Sequence, residues 1–412
     1  MSRYNPKQTT LQAAIYGDNG TAVGEILGRN TAAKDVSRDS LVTACRFGKL
    51  EAVEAIIQND TDAVLLKELG PSLLHDACLG GHVDTVRLLL RCGVDPEAKN
   101  KRQWYPCHTA AYHGEVTCLE ALVGHGVDCN AIDPQGQTPC HLASEKNHPK
   151  ILEFLVQQGY DLEVTNAKGQ RPVHLAAKHG GLECLILFTQ MDCDTNAKDG
   201  SGRTPAHYAA AGDHIDCLRF LLQHGANKET PDNSERVLTH SAASQGAMSC
   251  LHWLLDKHPD TVNLLDKNKN TPAHLAAAGG HGKCFHCCLQ HGADLSLENN
   301  KRDTAVEAGR RYGHPLRMEK ACKNELQCVH CKDTFELLEW ERTHQPNIVQ
   351  QMVSKSKKTI FTSPLPKVRR GEKKKRDRIK SAASNHSEEG RDLQKRDLVA
   401  RYFVGEEQEI ES

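Results

Sequence analysis

Histidine and cysteine dominate the chemistry open to this chain of 412 residues, which carries 23 His and 17 Cys. Either residue type could serve metal ligation or proton transfer, and Cys adds nucleophilic attack. Their spacing argues against all three. His75, His108, His141, His174, His207 and His240 follow one another at intervals of 33 residues, and His274 comes 34 after the last. A catalytic or ligating histidine needs a partner Ser, Cys or carboxylate that departs from such a period, and none of these seven has one. The chain also lacks an H-E-x-x-H pair and a phosphate-cradling glycine loop. The expectation is a protein that is not an enzyme and takes no cofactor.

The elements around the histidines explain the period. Thr138-Pro139-Cys140-His141-Leu142-Ala143 is echoed by Arg171-Pro172-Val173-His174-Leu175-Ala176-Ala177, Thr204-Pro205-Ala206-His207-Tyr208-Ala209-Ala210 and Thr271-Pro272-Ala273-His274-Leu275-Ala276-Ala277. Thr is a good N-cap, and Pro in the first turn forfeits no hydrogen bond because its missing N–H would be unpaired there. Paired alanines keep the helix thin, and a following Gly stops it in the left-handed conformation. A second apolar-periodic stretch, such as 83–90 before Gly93, then predicts a second helix. One helix pair cannot bury its apolar face alone, whereas a stack can.

These units resemble the ankyrin repeat, whose period and T-P-L-H-x-A core they share. The resemblance implies an all-α repeat solenoid of helix-turn-helix units joined by β-hairpin loops. It also implies that the recurring histidines tie adjacent hairpins together. Less regular copies around Leu11 to Gly17, Leu41 to Gly48 and Asp303 to Gly309 bring the count to about ten, over residues 8–322.

Composition agrees. Aromatics at 5% and hydrophobics at 38% are low for a globular enzyme, and no apolar run is long enough to span a membrane. Met1-Ser2-Arg3-Tyr4-Asn5-Pro6 does not begin a signal peptide, so the expected location is cytoplasmic, nuclear or both. Cys118, Cys184, Cys217, Cys250 and Cys284 share one repeat position and read as small buried hydrophobes. Cys284-Phe285-His286-Cys287 has a redox-like outline, but its phase puts it on a second helix of the core. His125, His224 and His291 fall at second-helix ends, where a donor meets the negative end of the dipole.

Two segments lie outside the register. Cys322, Cys328, Cys331 and His344 form a weak zinc candidate with C-x5-C-x2-C-x12-H spacing. An apolar stripe through the same residues favours a closing helix over 323–350 instead. Beyond it, 351–412 reads as a disordered basic tail. Residues 355–380 contain 12 Lys or Arg against Glu372 and Asp377, a local charge of +10 in a chain whose net charge is −1. Lys367, Arg369 and Arg370, with Lys373, Lys374, Lys375 and Arg376, form two basic clusters, which read either as a nuclear-import signal or as a solvated linker. Phe361 is the one aromatic there, so direct nucleic-acid binding is not expected. A short apolar motif at Leu393, Leu398, Val399, Tyr402 and Phe403 follows.

The resemblance places partner binding on the concave face, made by hairpin tips and the outer side of the first helices. The tip residues are Lys101, Arg102, Trp104, Gln135, Gln137, Lys168 and Gln170. The helix residues are Tyr112, His113, Glu145, Lys146, Lys178 and His179. Trp, Tyr and Arg most often dominate interface energy, which makes Trp104 a candidate anchor; the competing role is that it covers the next hairpin. Gln103, Glu235 and Lys269 replace a tip glycine held elsewhere by Gly70, Gly136, Gly169 and Gly202, which predicts altered turns. Val237-Leu238 replaces Thr-Pro, which predicts a softer junction near 228–240. The expected function is a monomeric protein-interaction adaptor or scaffold. A nuclear regulatory cofactor delivered by the basic tail, or a substrate adaptor of an enzyme complex, would use the same repeats.

Overall fold

A computed structural model of the chain describes residues 6–28, 34–59 and 64–314. The zinc candidate, the closing helix, the basic clusters and the terminal apolar motif all lie outside these residues. The described residues form helix pairs in sequence order: α1 (Pro6–Tyr16) with α2 (Gly20–Gly28), α3 (Lys34–Arg46) with α4 (Leu50–Asn59), and α5 (Val64–Leu79) with α6 (Val83–Arg91). Next come α7 (Pro106–His113) with α8 (Val116–Gly124), α9 (Pro139–Glu145) with α10 (Pro149–Gln157), and α11 (Pro172–His179) with α12 (Leu182–Gln190). The last are α13 (Pro205–Ala211) with α14 (Ile215–Gln223), α15 (Leu238–Gln245) with α16 (Met248–Lys257), α17 (Pro272–Ala278) with α18 (Gly282–Gln290), and the single helix α19 (Ala305–Arg311). First helices pack on first helices of neighbouring repeats, and second helices on second, so two helical layers share one continuous core. A 3-10 turn at Pro259–Thr261 lies between repeats eight and nine, where the histidine period lengthens to 34.

Local chemistry starts and stops the helices in part as expected, since Gly212 and Gly279 keep right-handed backbone at the ends of α13 and α17. Thr138, Thr204 and Thr271 sit in extended backbone immediately before proline. Gly114 and Gly180 end α7 and α11 at φ 79° and 77°. A Cβ at Gly114 would lie 2.7 Å from His148 Nδ1, so glycine also makes room for the next repeat. Cys118, Cys184, Cys217, Cys250 and Cys284 are buried, as the repeat position requires. Burial raises the thiols of Cys118, Cys184, Cys217 and Cys250, to about 12 for Cys118 and Cys217, which keeps them protonated.

The recurring histidines are the fasteners between repeats. The backbone N–H of Thr138, Arg171, Thr204 and Thr271 points at Nδ1 of His141, His174, His207 and His274, at 3.1 to 3.2 Å. An N–H can only donate, so each Nδ1 is bare and Nε2 carries the proton. That proton goes to the following hairpin: His141 to Gln170 O at 3.0 Å, His207 to Arg236 O at 3.0 Å and His274 to Asp303 O at 3.1 Å. His174 reaches both Ala197 O and Arg203 O, at 3.0 and 3.2 Å. Desolvation lowers the pKa of all seven rings, His141 to about 4, so they are neutral bridges at neutral pH.

Two expectations about the hairpins need correction. Gly70 is not at a tip: it lies buried inside α5, whose sixteen residues run through Pro71. Gln103, Glu235 and Lys269 do not alter their turns, because they adopt the left-handed φ of 61°, 60° and 58° where Gly136 has 72°. The reason is an Asx side chain that sets every tip. Asn100, Asp133, Asn166, Asp199, Asp232 and Asp266 each accept, through Oδ1, backbone N–H bonds from two and four residues ahead, as in Gln135 and Gln137 to Asp133 at 2.9 and 2.8 Å. Two such bonds offset the ~1 kcal/mol that left-handed backbone costs a residue with a Cβ. The tips are tight turns, and no regular strand occurs among the described residues.

Candidate functional site

The tips also bond to one another. Ala167 N donates to Gln135 O, Gly200 N to Lys168 O, Asn233 N to Ser201 O, Lys267 N to Ser234 O and Asn300 N to Asn268 O, all at 2.9 to 3.0 Å. The position that would continue this ladder towards Arg102 is Pro134, which has no N–H to give. The break falls between the fourth and fifth repeats, and Trp104 crosses it: its indole Nε1 donates to Asp133 Oδ2 at 3.2 Å. The competing role for Trp104 is thus its observed contact, since it is half-buried against the next hairpin.

Its ring still faces the first helix of its own repeat. Trp104 and Tyr112 are tilted at 52° with centroids 5.1 Å apart, and His113 meets the Tyr112 edge at 5.2 Å. The Arg102 guanidinium lies 5.3 Å from the indole, and Lys146 Nζ lies 4.6 Å from the Tyr112 ring centre. Glu145 pairs with Lys146 at 3.4 Å. The result is an aromatic pair clamped between two cations from neighbouring repeats, with Lys101, Arg102, His113 and Lys146 exposed and Tyr112 and Glu145 half-buried. Such cation–ring contacts contribute ~0.5–1 kcal/mol each at exposed positions and hold the cations in place. Partial desolvation lowers the pKa of His113 and of His179, so lysine and arginine carry the charge of the face at neutral pH.

The remaining candidates divide by position. Gln135, Lys168, Lys178 and His179 are exposed, and Gln137 is half-buried. Gln170 is not on the face at all. It is 6% exposed and donates to Tyr208 Oη at 2.6 Å, which in turn donates to Asp199 Oδ2 at 2.6 Å. The cause is register: Trp104, Gln137, Gln170, Arg203 and Arg236 occupy one position, which closes its own tip and turns towards the next. Arg236, for instance, reaches the fully buried side chain of Asp266 at 3.2 Å. The Asx residue of each tip is a further determinant of this surface, and its signal in the sequence is the recurrence of Asn100, Asp133, Asn166, Asp199 and Asp232 every 33 residues. His82, His148 and His214, at the starts of second helices, cap nothing with their side chains; their Nε2 atoms bond Arg46 O, Tyr112 O and Lys178 O of the preceding repeat at 3.0 to 3.2 Å.

Known proteins place this architecture. The family description "Ankyrin repeats (3 copies)" matches residues 10–100, 74–166 and 158–232, and "Ankyrin repeats (many copies)" matches 239–289. Over 72 residues, 18% of this chain, the sequence is 36% identical to the Ankyrin repeat and IBR domain-containing protein 1 of Mus musculus. The Homo sapiens protein of that name is 35% identical over 72 residues. The aligned stretch is 6% of the length of either relative, so the likeness concerns repeats alone. Ankyrin repeats generally mediate protein–protein interaction. With the family matches running through most of the helix pairs, and the histidine bridges binding each pair to the next, the chain belongs to the ankyrin repeat family.

Proposed function

We propose that this protein is an interaction adaptor whose partner seats on the hairpin and first-helix face at the junction of repeats four and five. The observation that carries the reading is the Trp104–Tyr112 pair held between Arg102 and Lys146. It combines preorganised aromatic surface with fixed positive charge, the composition that concentrates binding energy in interfaces. Lys101, Lys168 and Lys178 extend the charge across adjacent repeats, which favours a partner segment bearing acidic side chains beside an apolar one. The full chain carrying Arg102→Glu and Lys146→Glu should lose proteins that the unaltered chain co-purifies, while Lys150→Glu on the second-helix layer keeps them. An unchanged set of co-purifying proteins would overturn the reading.

The basic run 355–380 supports a second proposal, that the adaptor acts in the nucleus. A reporter fused to that segment should accumulate there, and a reporter spread evenly through the cell contradicts the assignment.

A further inference from the structure

His252, Cys287 and His291 present one donor atom each within 4.8 Å of one another. His252 stands on α16 of repeat eight; Cys287 stands on α18 of repeat nine, one helical turn before His291. Cys287 Sγ lies 3.8 Å from His252 Nδ1 and 3.7 Å from His291 Nδ1. A tetrahedral zinc ion with Zn–S about 2.3 Å and Zn–N about 2.0–2.1 Å needs sulfur–nitrogen separations of about 3.6 Å. Both sulfur–nitrogen separations therefore stand near ligating distance, and the donor atoms of the two rings lie within 4.8 Å of each other.

The repeat register does not account for this grouping. The position of Cys287 holds Leu88, Ala121, Phe154, Leu187, Phe220 and Trp253 in the preceding repeats. The position of His252 holds Arg87, Glu120, Glu153, Ile186 and Arg219 in earlier ones. A histidine at the place of His291 recurs as His125 and His224, and it has a structural use: His224 Nδ1 meets Phe220 O at 2.8 Å, and His291 Nδ1 meets Cys287 O at 2.8 Å. That bond poises the His291 ring over Cys287. Among the described residues, a thiol and a facing histidine join it only where repeats eight and nine meet.

The geometry points to a metal site that fastens α16 to α18 through His252, Cys287 and His291, taking a borderline-soft divalent cation of the zinc type. Thiolate with two imidazoles suits that class and excludes magnesium and calcium, which take oxygen donors. Binding converts the Cys287 thiol to a zinc-bound thiolate and releases its proton to solvent; the His291 Nδ1 proton, held against Cys287 O in the metal-free chain, passes through solvent to Nε2, which leaves Nδ1 bare for the metal. Solvent completes the fourth position, reached past the half-exposed rings, while Cys287 itself is buried. The Pro259–Thr261 turn follows α16 in the chain, so the role of the site is to clamp the second-helix layer of the two repeats between which the period slips from 33 to 34.

Full-length protein stripped with a chelator and titrated with Zn²⁺ and Co²⁺ tests the site. The unaltered chain should show a thiolate–cobalt charge-transfer band and a rise in Tm with zinc. His252→Gln and Cys287→Ser should each lose the band, the zinc-dependent rise and one bound zinc per chain. Cys328→Ser with Cys331→Ser, outside the site, should keep all three. His252 is half-exposed, so His252→Gln remains folded even if Cys287→Ser does not. Retention of the band in folded His252→Gln, its loss in the Cys328/Cys331 variant, or its absence from the unaltered chain would overturn the proposal.

Discussion

At the junction of repeats six and seven, backbone joins the hairpin tips and side chains turn inward. Gly200 N–H bonds Lys168 O, and Tyr208 spends its hydroxyl on Asp199 Oδ2 and Gln170. At the junction of repeats four and five, Pro134 removes the backbone donor, and the carboxylate equivalent to Asp199, that of Asp133, takes its second bond from Trp104 instead. The same frame thus yields a satisfied, inward polar chain at one place and an aromatic–cationic surface at the other. Function in such a solenoid is carried by what the frame leaves to individual side chains, while the frame itself supplies position.

The largest effects should come from the bridges that both junctions share. The seven buried histidines have pKa values lowered from 6.5. Below pH 6.5 the unfolded chain binds protons that the folded chain takes up only at lower pH, near 4 in the case of His141. Stability is therefore fully present above about pH 6.5 and falls as the pH drops towards 4, each ring contributing up to ~1.4 kcal/mol per pH unit. Urea unfolding at stepped pH measures this, and a flat profile between pH 6.5 and 4.5 would show that the rings are not buried neutral bridges. His174→Ala, which strands two carbonyls and leaves a cavity, should cost ~3 kcal/mol.

Smaller effects separate the junctions. Trp104→Phe keeps the ring and removes its N–H, so it should cost ~1 kcal/mol. Pro134→Ala returns a backbone donor opposite Arg102, and the Trp104→Phe penalty should shrink in that background; equal penalties in a double-mutant cycle would mean the two devices do not substitute for each other. At repeat eight, Val237 lacks the hydroxyl that Thr138, Thr204 and Thr271 place 2.8 to 3.0 Å from their histidine Nδ1, and Thr239 Oγ1 is buried without a hydrogen-bond partner. Thr239→Val should therefore stabilise the protein by ~1 kcal/mol. Hydrogen exchange should be faster over 228–240 than in repeats five to seven, and slower exchange there would contradict the softer junction.

Much of the frame was legible in the sequence because one-dimensional periodicity is what stacking produces. The histidines, the Thr-Pro starts and the core cysteines all follow from register. Register failed where a side chain answers to a neighbour in space. Gln170 reads as an outward residue because tips are exposed, but its side chain turns inward to Tyr208. Gln103 reads as a broken turn in the sequence, whereas Asn100 Oδ1 holds that turn through the N–H groups of Arg102 and Trp104. Trp104 gained its contact from Pro134, thirty residues on, whose missing N–H acts on another repeat. Cys287 does lie in the core, as its phase requires, but its approach to His252 is invisible to register because His252 belongs to the previous repeat.

The central claim is that the partner seats at the junction of repeats four and five. The most direct test measures the affinity of the strongest co-purifying protein for two charge-reversed chains, Arg102→Glu/Lys146→Glu and Lys168→Glu/Lys178→Glu. The account predicts a loss of about 30-fold or more, ~2 kcal/mol, for the first pair and a several-fold loss for the second. Equal losses, or a larger loss for the second pair, would contradict it.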